Sequence, residues 1–356
     1  MTRRAHRIAI LGDGGWGTTL ALHLHRLGHR VRLWGAFPEY VKVVARRREN
    51  QKFLPGIPIP RSLHIAADLA EAVASAQIIV LAIPSQHLRA IVRTLCQCGG
   101  WRRPLPRGTP GEREGPRGSG RQPKPATFIF VSVAKGIEQG SLKRMSQVIH
   151  EELGAVPLAV LSGPNIAREI ATGHPASSVV ASRNHRLAIT IQHAFMSDRL
   201  RLYTSTDVIG VELGGALKNP LAIAAGISDG LGFGANAKAA LITRGVVEMA
   251  RLGVALGARA QTFWGLSGLG DLVTTCLSGR NHWLGEQLGQ GKSLARVLGS
   301  TPMVIEGVET SQAAVQLARR HDIELPIIEQ VHAMLFRGRS PHAALAALMR
   351  RTGKSE

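Results

Sequence analysis

The sequence predicts a doubly wound α/β sheet in the N-terminal part of the chain and an all-α domain in the C-terminal part. Short apolar runs alternate with helical stretches over residues 1–205, and the first run ends in a turn rich in glycine. From residue 207 onward, Ala, Leu and Gly recur at helical spacing and few β-branched runs remain. Because strands that are apolar on both faces are typical of parallel sheets covered by helices, we expect a mainly parallel sheet.

The individual elements follow from where each apolar run begins and stops. The predicted strands lie at residues 7–11, 31–34, 78–83, 127–133, 158–161, 177–181 and 200–204, with a helix at residues 18–27 after the first strand. The predicted C-terminal helices lie at residues 208–225, 237–256, 282–288, 293–298, 310–321, 327–336 and 341–349. At about 150 residues per domain, a chain of 356 residues fits two domains. We place the boundary between residues 205 and 206.

The composition excludes several classes of protein. Apolar residues make up 44% of the chain and charged residues 19%, which is enough for a sizeable core and excludes disorder of the whole chain. The most apolar helix-length window, residues 211–227, contains Glu212 and Lys218, so we predict no membrane span. The apolar run at residues 8–11 is too short for a secretory signal. Cys96, Cys98 and Cys276 match neither a disulfide framework nor a zinc site, so we expect a reduced, cytoplasmic protein without a metal.

Positive charge is the unusual feature of the composition. The chain carries 44 Lys and Arg against 24 Asp and Glu, a net charge of +20. This excess fits a nucleic-acid partner, an anionic membrane surface, an anionic small substrate, or arginines spread over the surface without a function. With two tyrosines and no alternation of aromatic and basic residues, we expect no nucleic-acid partner. Residues 101–125, rich in Gly, Pro and Arg, are predicted to form a flexible basic insertion, either a tether for an acidic partner or a neutral surface loop.

A glycine motif directly follows the first predicted strand and opens the first predicted helix. Gly12, Gly14 and Gly17 form the pattern G-x-G-x-x-G. In this context the first glycine permits a tight turn, the second lets the backbone approach a pyrophosphate, and the third lets helix and strand pack closely. The free N–H groups at the start of the helix then face the phosphates. The motif therefore predicts a Rossmann-like dinucleotide-binding domain at residues 1–205.

The choice between NAD and NADP is less clear from the residues. An NAD-specific fold usually places an acid at the end of the second strand to hold the ribose 2′-hydroxyl. Here the first acid after that strand is Glu39, so nothing in this stretch would repel a 2′-phosphate. Arg32 and Arg46–Arg48 either attract such a phosphate or form a solvated charge run. We predict NADP, or the use of both cofactors.

Three blocks place polar residues in apolar or glycine-rich surroundings. Lys135 follows a strand, at the edge where parallel sheets bind ligands, and is otherwise a surface lysine. Lys218 interrupts the apolar run Leu213–Pro220. Gly214 and Gly215 in this run suggest close approach of a ligand or another chain. Lys218 either extends to solvent or is a buried base with a lowered pKa. Asp271 and Arg280 lie in a third, glycine-flanked block that suits a substrate hydroxyl and an oxyanion, unless they cap a helix.

Together these motifs resemble the NAD(P)-dependent glycerol-3-phosphate dehydrogenase family of the bacterial type. The resemblance is carried by GDGGWGT, SVAKGIE, LSGPN, GLSGLGDLVTTC, GRN, VIEGVET and the long block over residues 205–245. It implies reversible hydride transfer between NAD(P)H and dihydroxyacetone phosphate, giving sn-glycerol 3-phosphate for glycerophospholipid synthesis. It also implies that residues 206–356 form a helical substrate and catalytic domain, and it is compatible with a homodimer.

The resemblance also implies roles for individual residues. It makes Lys218 the proton acceptor and donor at the substrate C2 oxygen. The implied substrate-binding residues are Lys135, Gly163, Asn165, Lys218, Asp271, Gly279, Arg280 and Asn281. The implied cofactor-binding residues are Gly12, Gly14, Gly15, Trp16, Gly17, Lys135, Ala167, Arg280, Val304 and Glu306. The chain departs from its relatives at Gly279, where many carry serine, at Ala36, where His or Arg is frequent, and in a shorter stretch after Cys276.

Two other functions compete with this one. A different two-domain dehydrogenase, of the 3-hydroxyacid or ketopantoate reductase type, would share the glycine turn, but the blocks GGALKNP and GLGDL argue against it. A basic regulatory protein that senses a dinucleotide and binds nucleic acid would explain the charge, but the two tyrosines and the lack of alternating aromatic and basic residues argue against it.

Overall fold

An eight-stranded sheet forms the N-terminal part of the molecule in a computed structural model that describes residues 4–97, 128–301 and 303–353. The strands are β1 Arg7–Leu11, β2 Arg30–Trp34, β3 His64–Ala66, β4 Ile78–Leu81, β5 Ile129–Ser132, β6 Leu158–Ser162, β7 Ala176–Ala181 and β8 Leu200–Ser205. Their order across the sheet is β3-β2-β1-β4-β5-β6-β7-β8. The strands from β3 to β6 are parallel, whereas β7 pairs with β6 in the antiparallel sense and β8 runs parallel to β7.

Helices cover both faces of this sheet, and helices also form the C-terminal part of the described chain. Those that accompany the sheet are α1 Gly15–Arg26, α2 Pro38–Arg47, α3 Leu69–Val73, α4 Ser85–Gln97, α5 Met145–Leu153, α6 Ala167–Ala171 and α7 His185–Phe195. The later ones are α8 Val208–Gly230, α9 Ala235–Ala255, α10 Ala260–Phe263, α11 Asp271–Leu277, α12 Arg280–Gly289, α13 Leu294–Gly299, α14 Glu306–Arg320, α15 Pro326–Phe336 and α16 Pro341–Met349. A π-helical turn, Leu266–Gly270, precedes α11.

The predicted fold class is confirmed, and the predicted strands match seven of the eight strands that the structure describes. The strand missing from the prediction, β3, has three residues at the sheet edge, too few to show an apolar pattern. The reversal at β7 was also not predicted, because the direction of a strand depends on its connection and not on its own residues. Residues 101–125, the predicted insertion, lie outside the described residues.

Helix α8 is the centre of the helical part. All but three of its 23 residues are buried, and α9, α11, α12, α14 and α15 pack around it. It is the one helix in the described ranges that is long and apolar enough to cross a membrane, but 89% of its apolar window is buried inside the protein. The backbone of α12 lies directly against α8: a Cβ atom at Gly226 would lie 1.9 Å from the carbonyl oxygen of His282. Glycine therefore sets the distance between these helices.

The transition between the two parts is short. Strand β8 ends at Ser205 and α8 begins at Val208, with Asp207 accepting a hydrogen bond from the N–H of Gly210 at 2.9 Å. This position supports our proposal of a domain boundary between residues 205 and 206.

Glu248 on α9 fixes the start of another helix in the core. Its carboxylate is buried and accepts hydrogen bonds from the N–H groups of Ile327 at 2.7 Å and Ile328 at 3.2 Å, in the first turn of α15. The first N–H groups of a helix have no partner within the helix, so this side chain replaces the missing acceptors. Burial raises the pKa of Glu248 to about 7, and the two N–H donors and Arg251 oppose that shift.

We predict that Glu248→Ala destabilises the protein by about 2–4 kcal/mol, because it leaves two buried N–H groups without an acceptor. Chemical unfolding of the variant beside Glu248→Gln measures this. The glutamine variant keeps one acceptor oxygen and should recover a large part of the loss. Equal stability of the alanine variant and the unchanged protein would contradict this role of Glu248.

Candidate active site

The glycine turn after β1 has the shape that close approach to a ligand requires. Gly12 has a φ of +117°, and a Cβ atom there would lie 2.3 Å from the carbonyl oxygen of Ala82. A Cβ atom at Gly17 would lie 1.9 Å from the carbonyl oxygen of Gly12, whereas nothing lies within 4 Å of the corresponding position at Gly14. Two glycines thus pack the turn against its own backbone and β4, and the third leaves open space before α1. These residues fit the phosphates of a dinucleotide.

The start of α6 closes one side of this turn. Gly15 lies beside Ala167: a Cβ atom at position 15 would be 3.7 Å from the Cβ atom of Ala167. Thr19 on α1 donates a hydrogen bond to the carbonyl oxygen of Ala167 at 3.0 Å. The indole Nε1 of Trp16 is buried and has no acceptor among the described residues. The structure therefore brings Gly15, Trp16 and Ala167 together beside the turn.

A carboxylate with two lysines lies at the carboxyl edge of the parallel strands. Lys135 follows β5, and its Nζ donates hydrogen bonds to Asp271 Oδ2 at 2.7 Å and to the carbonyl oxygen of Gly163, after β6, at 2.9 Å. Lys218 of α8 donates to Asp271 Oδ1 and to Thr275 Oγ1, the latter at 2.7 Å. The side chains of Lys218 and Asp271 are only 8% and 2% exposed. Lys218 is thus a buried lysine and not one that reaches solvent, and Lys135 is held inside the site.

The two glycines of α8 just before Lys218 make this packing feasible. A Cβ atom at Gly214 would lie 2.4 Å from the carbonyl oxygen of Ser267, in the π-helical turn that precedes Asp271. A Cβ atom at Gly215 would lie 2.6 Å from Ser162 Oγ and 3.4 Å from Lys135 Cγ. The close approach that these glycines predicted is therefore made by other parts of the same chain.

The environment of Lys218 brings the pKa of its amine closer to neutral pH. Its pKa is lowered to about 8, mainly by burial; Asp271 opposes this shift and the neighbouring Lys135 adds to it. Desolvation disfavours the charged form of an amine, and a second ammonium group acts in the same direction. Lys218 therefore exchanges a proton readily at a pH where an ordinary lysine stays protonated.

Buried amides extend the site away from the lysines. Asn281 donates a hydrogen bond to Asn219 Oδ1 at 2.9 Å and accepts one from the N–H of Gly307 at 2.9 Å. These contacts leave Asn219 Nδ2 buried without an acceptor among the described residues. Asn165 Nδ2 is also buried without an acceptor among the described residues, while Asn165 Oδ1 accepts a hydrogen bond from Ser178. Buried donors that lack a partner are costly, so each suits a ligand oxygen.

Arg280 lies at the rim. It is exposed and donates a hydrogen bond to the carbonyl oxygen of Val304 at 2.8 Å. Glu306, at the start of α14, accepts a hydrogen bond from the N–H of Ser85. Burial raises the pKa of Glu306, and Arg280 opposes that shift most strongly, followed by the Ser85 N–H and Lys135. Arg280, Val304 and Glu306 thus form one group between the helical part and the start of α4.

Gly279 has a conformational reason to be glycine. Its φ is +110°, a region that residues with a side chain rarely adopt, and nothing lies within 4 Å of its Cβ position. The backbone at this position therefore has a conformation that favours glycine over the serine found in many relatives. A role of Gly279 in substrate binding stays a prediction.

The structure brings the predicted residues together in three neighbouring groups. Sequence reasoning assigned no role to Thr275 and Ser162, which contact or border the lysines, or to Asn219, which pairs with Asn281. Thr275 lies four residues after Asp271 on the same helix face, and this spacing is the signal that would have found it. Among the described residues, no group of three or more His, Cys, Asp and Glu side chains is arranged to hold a metal ion.

Comparison with protein families gives two matches that together cover most of the chain. The family described as the N-terminus of NAD-dependent glycerol-3-phosphate dehydrogenase matches residues 7–109 and 117–188. The family described as the C-terminus of the same enzyme matches residues 207–346. Within the predicted insertion, the segment that has no counterpart in the family model is thus residues 110–116.

Individual relatives agree with these matches over their full length. The chain is 44% identical over 354 residues to glycerol-3-phosphate dehydrogenase [NAD(P)+] 2 of Salinibacter ruber, covering 98% of this chain and 96% of that protein. It is 45% identical over 355 residues to glycerol-3-phosphate dehydrogenase [NAD(P)+] of Thermobifida fusca, covering 98% of both. The crystal structure of glycerol-3-phosphate dehydrogenase from Coxiella burnetii superposes with a TM-score of 0.87 at 36% identity, covering 98% of this chain and 99% of that one.

We predict that Asp271→Asn lowers the pKa of Lys218 below about 8, because the carboxylate is the group that raises it. The rate of reductive methylation of Lys218 as a function of pH, read by peptide mass spectrometry, measures this change. Lys238, which pairs with Asp229 at 2.7 Å outside the site, is the internal control and should not respond. An unchanged or raised pKa of Lys218 in the variant would disprove the electrostatic role given to Asp271.

Proposed function

Because the chain belongs to the NAD-dependent glycerol-3-phosphate dehydrogenase family, we propose that Lys218 exchanges the proton of the substrate C2 hydroxyl, assisted by Lys135. The observation that carries this assignment is the buried carboxylate of Asp271, which holds both ammonium groups side by side at the edge of the sheet. The enzyme is an oxidoreductase that uses NAD or NADP and interconverts dihydroxyacetone phosphate and sn-glycerol 3-phosphate.

The dinucleotide would lie along the glycine turn. The bound nicotinamide supplies the hydride in reduction and accepts it in oxidation. The N–H groups at the start of α1 have no partner within the helix and face the open space beside Gly14, which suits the pyrophosphate. We assign cofactor contacts to Gly12, Gly14, Gly15, Trp16, Gly17, Lys135, Ala167, Arg280, Val304 and Glu306.

The lysine pair supplies what a carbonyl reduction needs at the oxygen atom. As the C2–O double bond becomes an alkoxide, two ammonium groups stabilise the developing negative charge. Lys218 then gives its proton to the oxygen and is left as a neutral amine, and in oxidation the neutral amine takes the hydroxyl proton. Asp271 acts through the lysines by fixing both Nζ atoms, while Thr275 fixes Lys218 from the other side.

The substrate phosphate is assigned to the amide and guanidinium side of the site. The candidates are Gly279, Arg280 and Asn281 at the start of α12, with Gly163 and Asn165 in the loop after β6. Arginine and the free N–H groups of a helix start both suit an oxyanion. Gripping the phosphate orients the reacting carbon, and the net positive charge of the chain draws a dianion toward the site.

Three further assignments complete the proposal. We propose that the product serves glycerophospholipid synthesis, that the enzyme acts in the cytoplasm, and that it forms a homodimer. The free thiol of Cys276 supports a reducing compartment. Light scattering of the purified protein measures the assembly.

The direct experiment follows oxidation of NADH and of NADPH by the purified protein with dihydroxyacetone phosphate. Turnover that depends on this substrate and yields sn-glycerol 3-phosphate supports the proposal. Turnover of a 2-keto acid in its place would favour one of the related two-domain dehydrogenases instead.

Lys218→Ala should lower kcat by at least about 100-fold, because the reaction then lacks its proton donor and acceptor. The measurement is steady-state turnover together with cofactor affinity, which should persist. Lys238→Ala removes an ammonium group outside the site and serves as the matched control. A normal kcat in Lys218→Ala would remove its catalytic role.

The rate should depend on pH with opposite signs in the two directions. Oxidation needs the neutral amine of Lys218, so kcat for sn-glycerol 3-phosphate should rise through about pH 8 and level off above it. Reduction needs the ammonium form, so kcat for dihydroxyacetone phosphate should fall above about pH 8. Profiles without a transition in this range would exclude Lys218 as the titrating group.

A further inference from the structure

Asp13, the second residue of the glycine motif, has a buried carboxylate that the reaction described above does not use. The residue is only 9% exposed, and its Oδ2 has no hydrogen-bond partner in the described part of the chain. No basic side chain among the described residues forms an ion pair with it. A buried charged oxygen without a partner is costly, so its presence needs an explanation.

The carboxylate lies against Gly35, the first residue after β2. A Cβ atom at position 35 would lie 2.4 Å from Asp13 Cγ, 2.4 Å from Oδ2 and 2.7 Å from Oδ1. In dinucleotide-binding folds this end of the second strand carries the acid that holds the ribose 2′-hydroxyl. Here the carboxylate of Asp13 fills the space in which a side chain at position 35 would begin.

No other acid of this region reaches the same place. Glu39, the first acid after β2 in the sequence, is exposed on α2 and pairs with Lys42 at 2.7 Å. In the sequence, the absence of an acid after β2 favoured NADP. In the structure, Asp13 of the glycine turn places a carboxylate at this end of β2.

We propose that Asp13 accepts hydrogen bonds from the adenosine ribose hydroxyls of NAD and selects NAD over NADP by repelling a 2′-phosphate. The inference rests on the proposed function, since it requires a dinucleotide in the glycine turn. It assigns a specificity-determining role to a residue that the motif pattern leaves free.

Three of the four arginines that could attract a 2′-phosphate are bonded to other parts of the protein. Arg32 donates to the carbonyl oxygen of Glu71, Arg47 to Gln51, and Arg48 to the carbonyl oxygen of Leu63, the last at 2.9 Å. Each guanidinium is thus bonded to the protein around β2 and α2.

The local charges are compatible with an ionised Asp13 in the complex. Burial raises the pKa of Asp13, while its own backbone N–H and Lys52 lower it. Lys52 is the cation that acts on the carboxylate, and its Nζ lies 5.0 Å from the ring centroid of Phe53 and 5.9 Å from that of Tyr40. Two ribose hydroxyls that donate to the carboxylate would favour the ionised form further.

Calorimetric titration of the full chain without substrate tests the proposal through binding. The probes are NADH, NADPH, ADP-ribose and its 2′-phosphorylated form. Asp13 would form a hydrogen bond to a ribose hydroxyl of NADH and would repel the 2′-phosphate of NADPH. Both effects favour NADH, so we expect NADH to bind at least about tenfold more tightly than NADPH. Asp13→Ala should reduce the ratio of the Kd for NADPH to the Kd for NADH by at least about tenfold, because NADH then binds more weakly and NADPH more tightly.

Two further variants separate this role from a loss of fold. Asp13→Asn keeps the size of the side chain and should move the ratio in the same direction. In the Asp13→Ala background, Gly35→Asp places the acid at the end of β2, and φ at Gly35 lies outside the region reserved for glycine, so this change should restore the preference for NADH. Glu39→Gln is the matched control and should leave the ratio unchanged.

The outcomes distinguish this inference from the proposed function. Binding of both cofactors with equal affinity, a preference for NADPH, or a ratio that Asp13→Asn does not change would overturn the role of Asp13 alone. Failure of the unchanged protein to bind either dinucleotide would overturn the proposed function, and this inference with it.

Discussion

The carboxylate of Asp271 is the group on which the arrangement of the active site depends. It is almost fully buried and accepts hydrogen bonds from Lys135, in the loop after β5, and from Lys218, on the central helix α8. Bringing two ammonium groups together out of water costs free energy, and a single shared carboxylate offsets part of this cost. One carboxylate charge faces two ammonium charges. The site therefore keeps an excess of positive charge where the substrate oxygen becomes negative. The same imbalance keeps the proton of Lys218 labile.

Glycine makes this electrostatic arrangement sterically feasible. A glycine inside a helix costs about 1 kcal/mol relative to alanine. Helix α8 accepts this cost at Gly214 and Gly215, where the turn before Asp271 and the stem of Lys135 touch its backbone, and again at Gly226, where α12 does. The helix therefore makes contacts at short range along its length, and Lys218 is buried within it.

Much of this could be predicted from the sequence, because some features depend on local pattern. The apolar strands and the glycine turn followed from residues close in the chain, as did the presence of reactive residues in the blocks around Lys135, Lys218 and Asp271. Other features depend on which distant residues meet. The amide pair of Asn219 and Asn281 joins positions 62 residues apart, and the contact of Asp13 with Gly35 joins two turns. Neither has a period or spacing that a single sequence displays. The reversal of β7 was hidden for the same reason.

The lysines come from opposite sides of residue 205, and this has a consequence for the nascent chain. Ribosomes deliver the glycine turn and Lys135 early, whereas Asp271 and Glu306 emerge only when about three quarters or more of the polypeptide has been synthesised. Until then Lys135 has no carboxylate to orient it. An emerging polypeptide can thus acquire the cradle for a nucleotide well before it gains the ability to transfer a proton, which delays reactivity until translation is nearly finished.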